Sequence, residues 1–300
     1  MGKIAFVFSG QGDQYPGMGK ELCEKESLAA DCFKTFDNIR PGTSEQCFSG
    51  TAEELKNTAN TQPCLYAVEF ALARALESKG ICPQMTAGFS LGEITAAAFS
   101  GTYSMETGFR LVSERGRLMQ EAAEKSDTFM AAVLKLSSEQ VVRLCESFEE
   151  IYPVNFNCPG QISVSGKKEQ MSDFLSAVKA AGGKAIPLKV AGGFHSPFMK
   201  KAAESFASVL EKTTLTQPKI PLYADLTAKP YGENIQETLS KQISSPVLWE
   251  ELIRNMISDG ADTFIEIGPG HTLSNLIKKI DPSVTAKTAE EMLEELYAEQ

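Results

Sequence analysis

Ser90 stands in "MTAGFSLGEITAAAFSG", residues 85–101, where Gly88, Ser90 and Gly92 form a G-x-S-x-G. A strand-like run leads into it and small residues follow. That is the setting of a serine on a strand-to-helix turn so tight that its flanking residues must be small. There the hydroxyl projects at a helix N-terminus, where free backbone N–H groups can stabilise an oxyanion. The bare pattern also fits a serine in a glycine-rich bend; the strand–turn–helix context favours the nucleophile. A serine nucleophile needs a base, and the chain has two histidines, His195 and His271. His195 follows a glycine-led loop in "VAGGFHSPFMK". His271, in "EIGPGHTLSNLIKKI", suits a structural place at the start of a helix. A lone histidine is most often structural or on the surface. With two candidates for one task, His195 is the expected base. Many carboxylates lie between Ser90 and His195 and none has a distinctive signature, so the residues alone supply no third member of a triad.

Other chemistries fit less well. In "GQGDQYPG" Tyr15 stands where a dinucleotide fingerprint wants its third glycine, and no P-loop pattern occurs. The seven cysteines (Cys23, Cys32, Cys47, Cys64, Cys82, Cys145 and Cys158) are odd in number, scattered and without a C-x-x-C pair. They read as reduced cytosolic thiols, against a disulfide framework or a zinc site. A formal net charge of −10 argues against nucleic acid as a partner. No apolar run approaches the roughly 18 residues of a membrane span, and "IAFVF" is too short for a signal-peptide core.

The elements that must position Ser90 and His195 follow from the rhythm of the chain. With 300 residues, 42% hydrophobic and 23% charged, it can bury a large core. "KIAFVF", a helix through "PCLYAVEFALARALESKG", "MTAGFS" and the helix "LGEITAAAFSG" alternate as in an α/β fold with a largely parallel sheet. Near residue 127 the rhythm changes. "TFMAAVLKL", the helix "SSEQVVRLCESFE", "IYPVNFN", "QISVSG", the helix "KKEQMSDFLSAVKAAGG" and "KAIPLKV" give β-α-β-β-α-β, a ferredoxin-like order. The α/β pattern resumes near residue 193 with "IPLYAD" and "ADTFIEIGPG" as later strands. The expected architecture is an α/β domain of residues 1–126 and 193–300 carrying a ferredoxin-like insert of residues 127–192.

Seven stretches in order, "FSGQGDQYPGMG", "GFSLGE", "RLVSERGRLMQ", "NFNCPGQISVSG", "GGFHSPFM", "QISSPVLW" and "IEIGPGHTL", resemble one family over nearly the whole chain. It is that of the malonyl-CoA:acyl carrier protein transacylases and the acyltransferase domains of polyketide synthases. Its fold is an α/β-hydrolase-like domain with a ferredoxin-like insert. The resemblance implies that Ser90 is the acylated serine and His195 its base. It assigns to Gln242 a main-chain carbonyl that orients the histidine, which accounts for the missing acid. By the same resemblance the backbone N–H groups of Gln11 and Leu91 form the oxyanion hole, and Arg115 pairs with the malonyl carboxylate. Without it, Arg115 would read as a solvated ion pair with Glu114 or Glu121. Phe194 matches the bulky residue of malonyl-selective members. Phe89 stands where the family usually has histidine, which bears on the shape of the acyl pocket.

The implied reaction is ping-pong transfer of malonyl from malonyl-CoA to the phosphopantetheine thiol of acyl carrier protein, in fatty-acid biosynthesis. It needs no metal and no bound cofactor. A cytoplasmic monomer is expected, with neither nucleic acid nor membrane as partner. Family carriers are acidic, so Lys189, Lys200 and Lys201 are the candidate docking residues. The alternatives are a freestanding acyltransferase serving a polyketide synthase, a serine thioesterase or other hydrolase, and a silent scaffold that binds carriers. Arg115 separates transferase from thioesterase, since a buried cation selects a carboxylated acyl group. The presence of both Ser90 and His195 speaks against the scaffold.

Overall fold

The computed structural model describes residues 2–298. Its strands are β1 (Lys3–Phe8), β2 (Met85–Gly88), β3 (Thr128–Leu134), β4 (Ile151–Cys158), β5 (Gln161–Lys167), β6 (Lys184–Pro187), β7 (Leu222–Tyr223), β8 (Ala261–Ile267) and β9 (Thr285–Thr288). They form two sheets, one of order β7-β2-β1-β8-β9 and one of order β4-β5-β3-β6.

Every pairing in the first sheet is parallel. A parallel strand covered by helices on both faces must be apolar on both, which is why "KIAFVF" runs without alternation. Phe6 and Phe8 enter one core with Ile265 and Ile267, while Ala5 and Val7 enter the other with Phe264 and Trp249. The largest helix of the first core, Thr58–Ser78, is buried over most of its length. Asn57 opens it by accepting a hydrogen bond from the Ala59 N–H at 3.0 Å. Helix Met105–Glu124 lies against it, started by the Ser104 hydroxyl, which accepts from the Thr107 N–H.

The second sheet is antiparallel and falls between β2 and β7 in sequence. In its own order the first and third strands are central, the ferredoxin-like arrangement. Its helices, Ser138–Glu146 and Met171–Ala180, seal a separate core around Val133, Val164 and Phe174. Ser137 opens the first of these: its hydroxyl accepts from the Gln140 N–H, and Gln140 Oε1 accepts from the Ser137 N–H.

Two expected strands are shorter than their sequence suggests. "KAIPLKV" leaves the sheet after Pro187, with one further bond from the Leu188 N–H to Met130 O, and descends toward His195. "IPLYAD" pairs only over Leu222–Tyr223, because Ala224 turns back to bond Lys229 O. Both departures serve the same edge of the molecule. The loops after β1, β2, β7 and β8 all open at the carboxyl ends of the parallel strands, where α/β sheets bind ligands.

Candidate active site

At the end of β2 the chain turns through Ser90, whose φ of 57° lies in the left-handed region that non-glycine residues rarely adopt. The flanking glycines are sterically required. A Cβ on Gly88 would lie 2.0 Å from the carbonyl carbon of Gly92, and one on Gly92 would lie 2.3 Å from Phe8 O. The Ser90 N–H donates to Asp225 Oδ2 at 2.6 Å. The hydroxyl thus stands above the start of helix Gly92–Phe99.

His195 Nε2 lies 2.7 Å from Ser90 Oγ. Its Nδ1 faces two backbone carbonyls, Gln242 O at 3.0 Å and Ser245 O at 3.2 Å. Two acceptors at Nδ1 assign the proton there, which leaves the Nε2 lone pair for the serine. Burial, reinforced by the nearby Arg115 cation, depresses the imidazole to about 4, so it is neutral when the enzyme is free. His271 is exposed at the start of helix Thr272–Ile280.

Arg115 is fully buried. Its Nη2 donates to Gln242 Oε1 at 2.7 Å and lies 3.2 Å from Ser90 Oγ, and its Nη1 donates to Gln62 Oε1 at 3.0 Å. Its Nε–H is buried without a partner among the described residues. The surface ion pairs with Glu114 and Glu121 belong instead to Arg117, two residues on and on the exposed side of the helix. Gln242 therefore meets the site twice. Its main-chain carbonyl holds His195, and its side chain receives Arg115 while its Nε2 contacts Ser90 O, Glu93 Oε2 and Asp225 Oδ2 at 2.6, 2.8 and 3.1 Å.

The sequence reading missed Glu93 and Asp225. Both are wholly buried, and both are pushed upward: burial raises Glu93 to about 7, and burial together with Glu93 raises Asp225 well above a normal carboxylate. The Tyr231 hydroxyl bonds Glu93. Negative charge on this pair favours the charged form of Arg115, a cation with no direct carboxylate partner among the described residues. A signal for Glu93 existed: it is the lone acid in the apolar helix "GEITAAAF". Asp225, which touches Ser90 across 135 residues of sequence, had none.

The backbone N–H groups of Gln11 and Leu91 have no hydrogen-bond acceptor among the described residues. Gln11 lies in the loop after β1, its side chain near Thr58 Oγ1. Phe194 is buried beside His195 in the main core. Phe89 is seated against Trp249, with ring centroids 5.4 Å apart, and fills the space a Cβ on Gly10 would need. It lines a cleft of about 220 Å³ between the two sheets, together with Gln11, Leu188, Asn155 and Asn157. The Oδ1 atoms of both asparagines are buried there without a donor among the described residues. The arrangement can activate a hydroxyl, stabilise an oxyanion and hold an anionic group within reach of the same serine.

The acyl transferase domain family matches residues 5–293. The malonyl CoA-acyl carrier protein transacylase of Bacillus subtilis is 39% identical over 289 residues, covering 94% of this chain and 91% of its own. That of Escherichia coli K12 is 35% identical over 302 residues, covering 97% of each. Among solved structures, the malonyl CoA-acyl carrier protein transacylase of Clostridium perfringens superposes with a TM-score of 0.94 at 35% identity, over 99% of this chain and 98% of its own. A malonyl-transacylase in complex with a type II PKS acyl-carrier protein superposes with a TM-score of 0.92 at 34% identity, over 95% of each chain.

Proposed function

The chain belongs to the acyl transferase domain family and transfers a malonyl group from malonyl-CoA to acyl carrier protein; we propose that it does so through an ester on Ser90. His195 Nε2 takes the hydroxyl proton as Ser90 Oγ attacks the thioester carbon. The N–H groups of Gln11 and Leu91 receive the charge that develops on the carbonyl oxygen. Collapse breaks the carbon–sulfur bond, and the proton passes from His195 to the departing CoA sulfur. The pantetheine thiol of the carrier then gives its proton to His195, attacks the ester and returns Ser90 to its hydroxyl form. No step calls on a metal or a bound cofactor. Asn155 and Asn157 offer amide oxygens to the N–H groups of the incoming arm.

The observation that carries this reading is the buried Arg115 guanidinium 3.2 Å from Ser90 Oγ. A thioesterase for neutral acyl groups gains nothing from a buried cation there, whereas a malonyl carboxylate pairs with it. We place the reaction in fatty-acid synthesis, in keeping with the names of the relatives, and in the cytosol, a reading supported by seven unpaired cysteines. Incubation with radiolabelled malonyl-CoA tests the function. Label is expected on the enzyme alone, and on the carrier once carrier is added. Rapid release of free malonate, undiminished by carrier, would make the protein a hydrolase.

A further inference from the structure

Below the reaction centre a further buried acid links the two segments that bear the proposed oxyanion donors. Glu69, on helix Thr58–Ser78, has no exposed surface. Its Oε1 lies 3.1 Å from Ser9 Oγ and its Oε2 lies 2.5 Å from Thr95 Oγ1. These two hydroxyls are its polar contacts among the described residues. Ser9 stands two residues before Gln11, at the end of β1, with its own N–H tied to Ile267 O at 3.0 Å. Thr95 lies one helical turn beyond Leu91. The two segments also touch directly, since a Cβ on Gly92 would lie 2.5 Å from Ser9 O. Space for the Ser9 hydroxyl is left by Gly268, where a Cβ would lie 1.8 Å from Ser9 Oγ.

We propose that Glu69 is a positioning residue for the transfer reaction: by bridging Ser9 and Thr95 it sets the spacing between the Gln11 and Leu91 N–H groups that receive the oxyanion. The inference rests on the oxyanion role proposed above for those two groups. An oxyanion hole works only when both donors stand about 2.7–3.1 Å from the place the charged oxygen will occupy, so a small drift of either segment is felt in the rate. The bridge is suited to constancy because it carries no charge. Burial with no cation beside it holds the carboxyl protonated, raised to about 8 although both hydroxyl bonds favour the charged form. As an acid it donates to one hydroxyl and accepts from the other, a pattern that a glutamine amide reproduces.

The test uses the full chain, wild type and the variants Glu69→Gln, Glu69→Ala, Ser9→Ala and Thr95→Val, in single-turnover acylation by radiolabelled malonyl-CoA. The saturating rate is expressed per active site, so that a loss of folded protein does not enter it. Glu69→Ala, Ser9→Ala and Thr95→Val are expected to lower that rate about 10- to 100-fold, somewhat less than outright loss of an oxyanion donor. The half-saturating concentration of malonyl-CoA should stay close to wild type, and Glu69→Gln should keep most of the rate. If Glu69→Ala does not fold, the two hydroxyl deletions carry the test. Unchanged saturating rates in Ser9→Ala and Thr95→Val, or a Glu69→Gln enzyme as slow as the hydroxyl deletions, overturn the proposal and leave malonyl transfer standing. A wild type that takes no label at all overturns the transfer reading with it.

Discussion

His195 Nε2 meets Ser90 Oγ at 2.7 Å, and both residues hold a left-handed backbone, φ 58° and 57°. Each such conformation costs on the order of 1–3 kcal/mol and persists only where the surroundings impose it. For Ser90 they do so through Gly88, Gly92 and the Asp225 carboxyl, and for His195 through the carbonyls of Gln242 and Ser245. Two strained residues brought together are expected to act as one unit. Ser90→Ala should form no malonyl-enzyme, and His195→Ala should acylate about 10²- to 10⁴-fold more slowly, the usual worth of a positioned base. Mass spectrometry of the trapped adduct decides it. A wild-type level of malonyl adduct on the Ser90→Ala protein would remove Ser90 from the mechanism.

The acid limb of the rate should reflect where His195 sits. With the imidazole depressed to about 4, the base remains free through the acidic range and is lost only as the pH falls through that value. An ordinary histidine would begin to fail near 6.5. Single-turnover acylation at limiting malonyl-CoA, which reads the free enzyme, is therefore expected to be flat on the acid side down to about pH 5. Circular dichroism at each pH separates this limb from unfolding. A limb centred near 6.5 that persists in Glu93→Gln, which removes the carboxyl raised to about 7 beside Gln242, would mean that burial and Arg115 do not act on the imidazole as described.

How far the sequence revealed this site depends on what each residue uses. Ser90 was visible because its requirements are local: a strand, a helix and two glycines within a few residues. Arg115 and Arg117 are two positions apart on one helix, and charge spacing alone assigned Glu114 and Glu121 to the wrong arginine. About 200° of helical rotation separates the two side chains, and which face is buried depends on helix Thr58–Ser78, far away in sequence. Gln242 orients His195 through a carbonyl that every residue possesses, so only the family resemblance pointed to it. Its side-chain bonds to Arg115, Glu93 and Asp225 had no sequence signal, because they arise where the ends of β2 and β7 converge. The alternation of β1 between two cores, by contrast, follows from its unbroken apolar run.

Glu69 should leave a signature in stability that does not depend on catalysis. Its carboxyl ionises near 4.5 in the unfolded chain and near 8 in the folded one. Between those values the folded state binds the extra proton, so this residue stabilises fully below about 4.5 and its contribution is lost as the pH rises through 8. Glu69→Gln removes the titration and keeps the bridge. Denaturant unfolding is expected to show wild-type stability falling relative to Glu69→Gln between pH 5 and 8, by an amount on the order of a few kcal/mol. Parallel curves over that range would show that Glu69 is ionised in the folded protein.

Carrier docking should be separable from chemistry. Lys189 is exposed in the stretch after β6, and Lys200 and Lys201 are exposed at the start of helix Lys200–Leu210, on either side of the loop that ends at His195. An acidic carrier would meet positive charge there despite the net −10 of the chain. Charge reversal at these lysines is expected to raise KM for the carrier and leave acylation by malonyl-CoA unchanged. Equal damage to both half-reactions would mean that the His195 loop itself had moved.

Substrate choice should divide between Arg115 and Phe194, and unequally. Arg115 is pre-positioned by Gln62 and Gln242, and its Nη2 and unpartnered Nε lie on adjacent corners of the guanidinium. A carboxylate that binds them is desolvated and held by charge-assisted bonds, so truncating the cation costs about 2–5 kcal/mol, roughly 30- to several-thousand-fold. Acetyl-CoA lacks the carboxylate and escapes that loss. Phe194 acts by volume alone, and excluding one methyl group is worth only about 1–3 kcal/mol. Arg115→Ala is therefore expected to lose malonyl transfer and gain relative activity on acetyl-CoA, whereas Phe194→Ser should only narrow the gap between malonyl-CoA and methylmalonyl-CoA. The measurement is kcat/KM for the three thioesters on wild type and both variants. An Arg115→Ala enzyme that still prefers malonyl-CoA would show that another group reads the carboxylate, and the buried guanidinium would then be left with the structural task of holding Gln62 and Gln242 together.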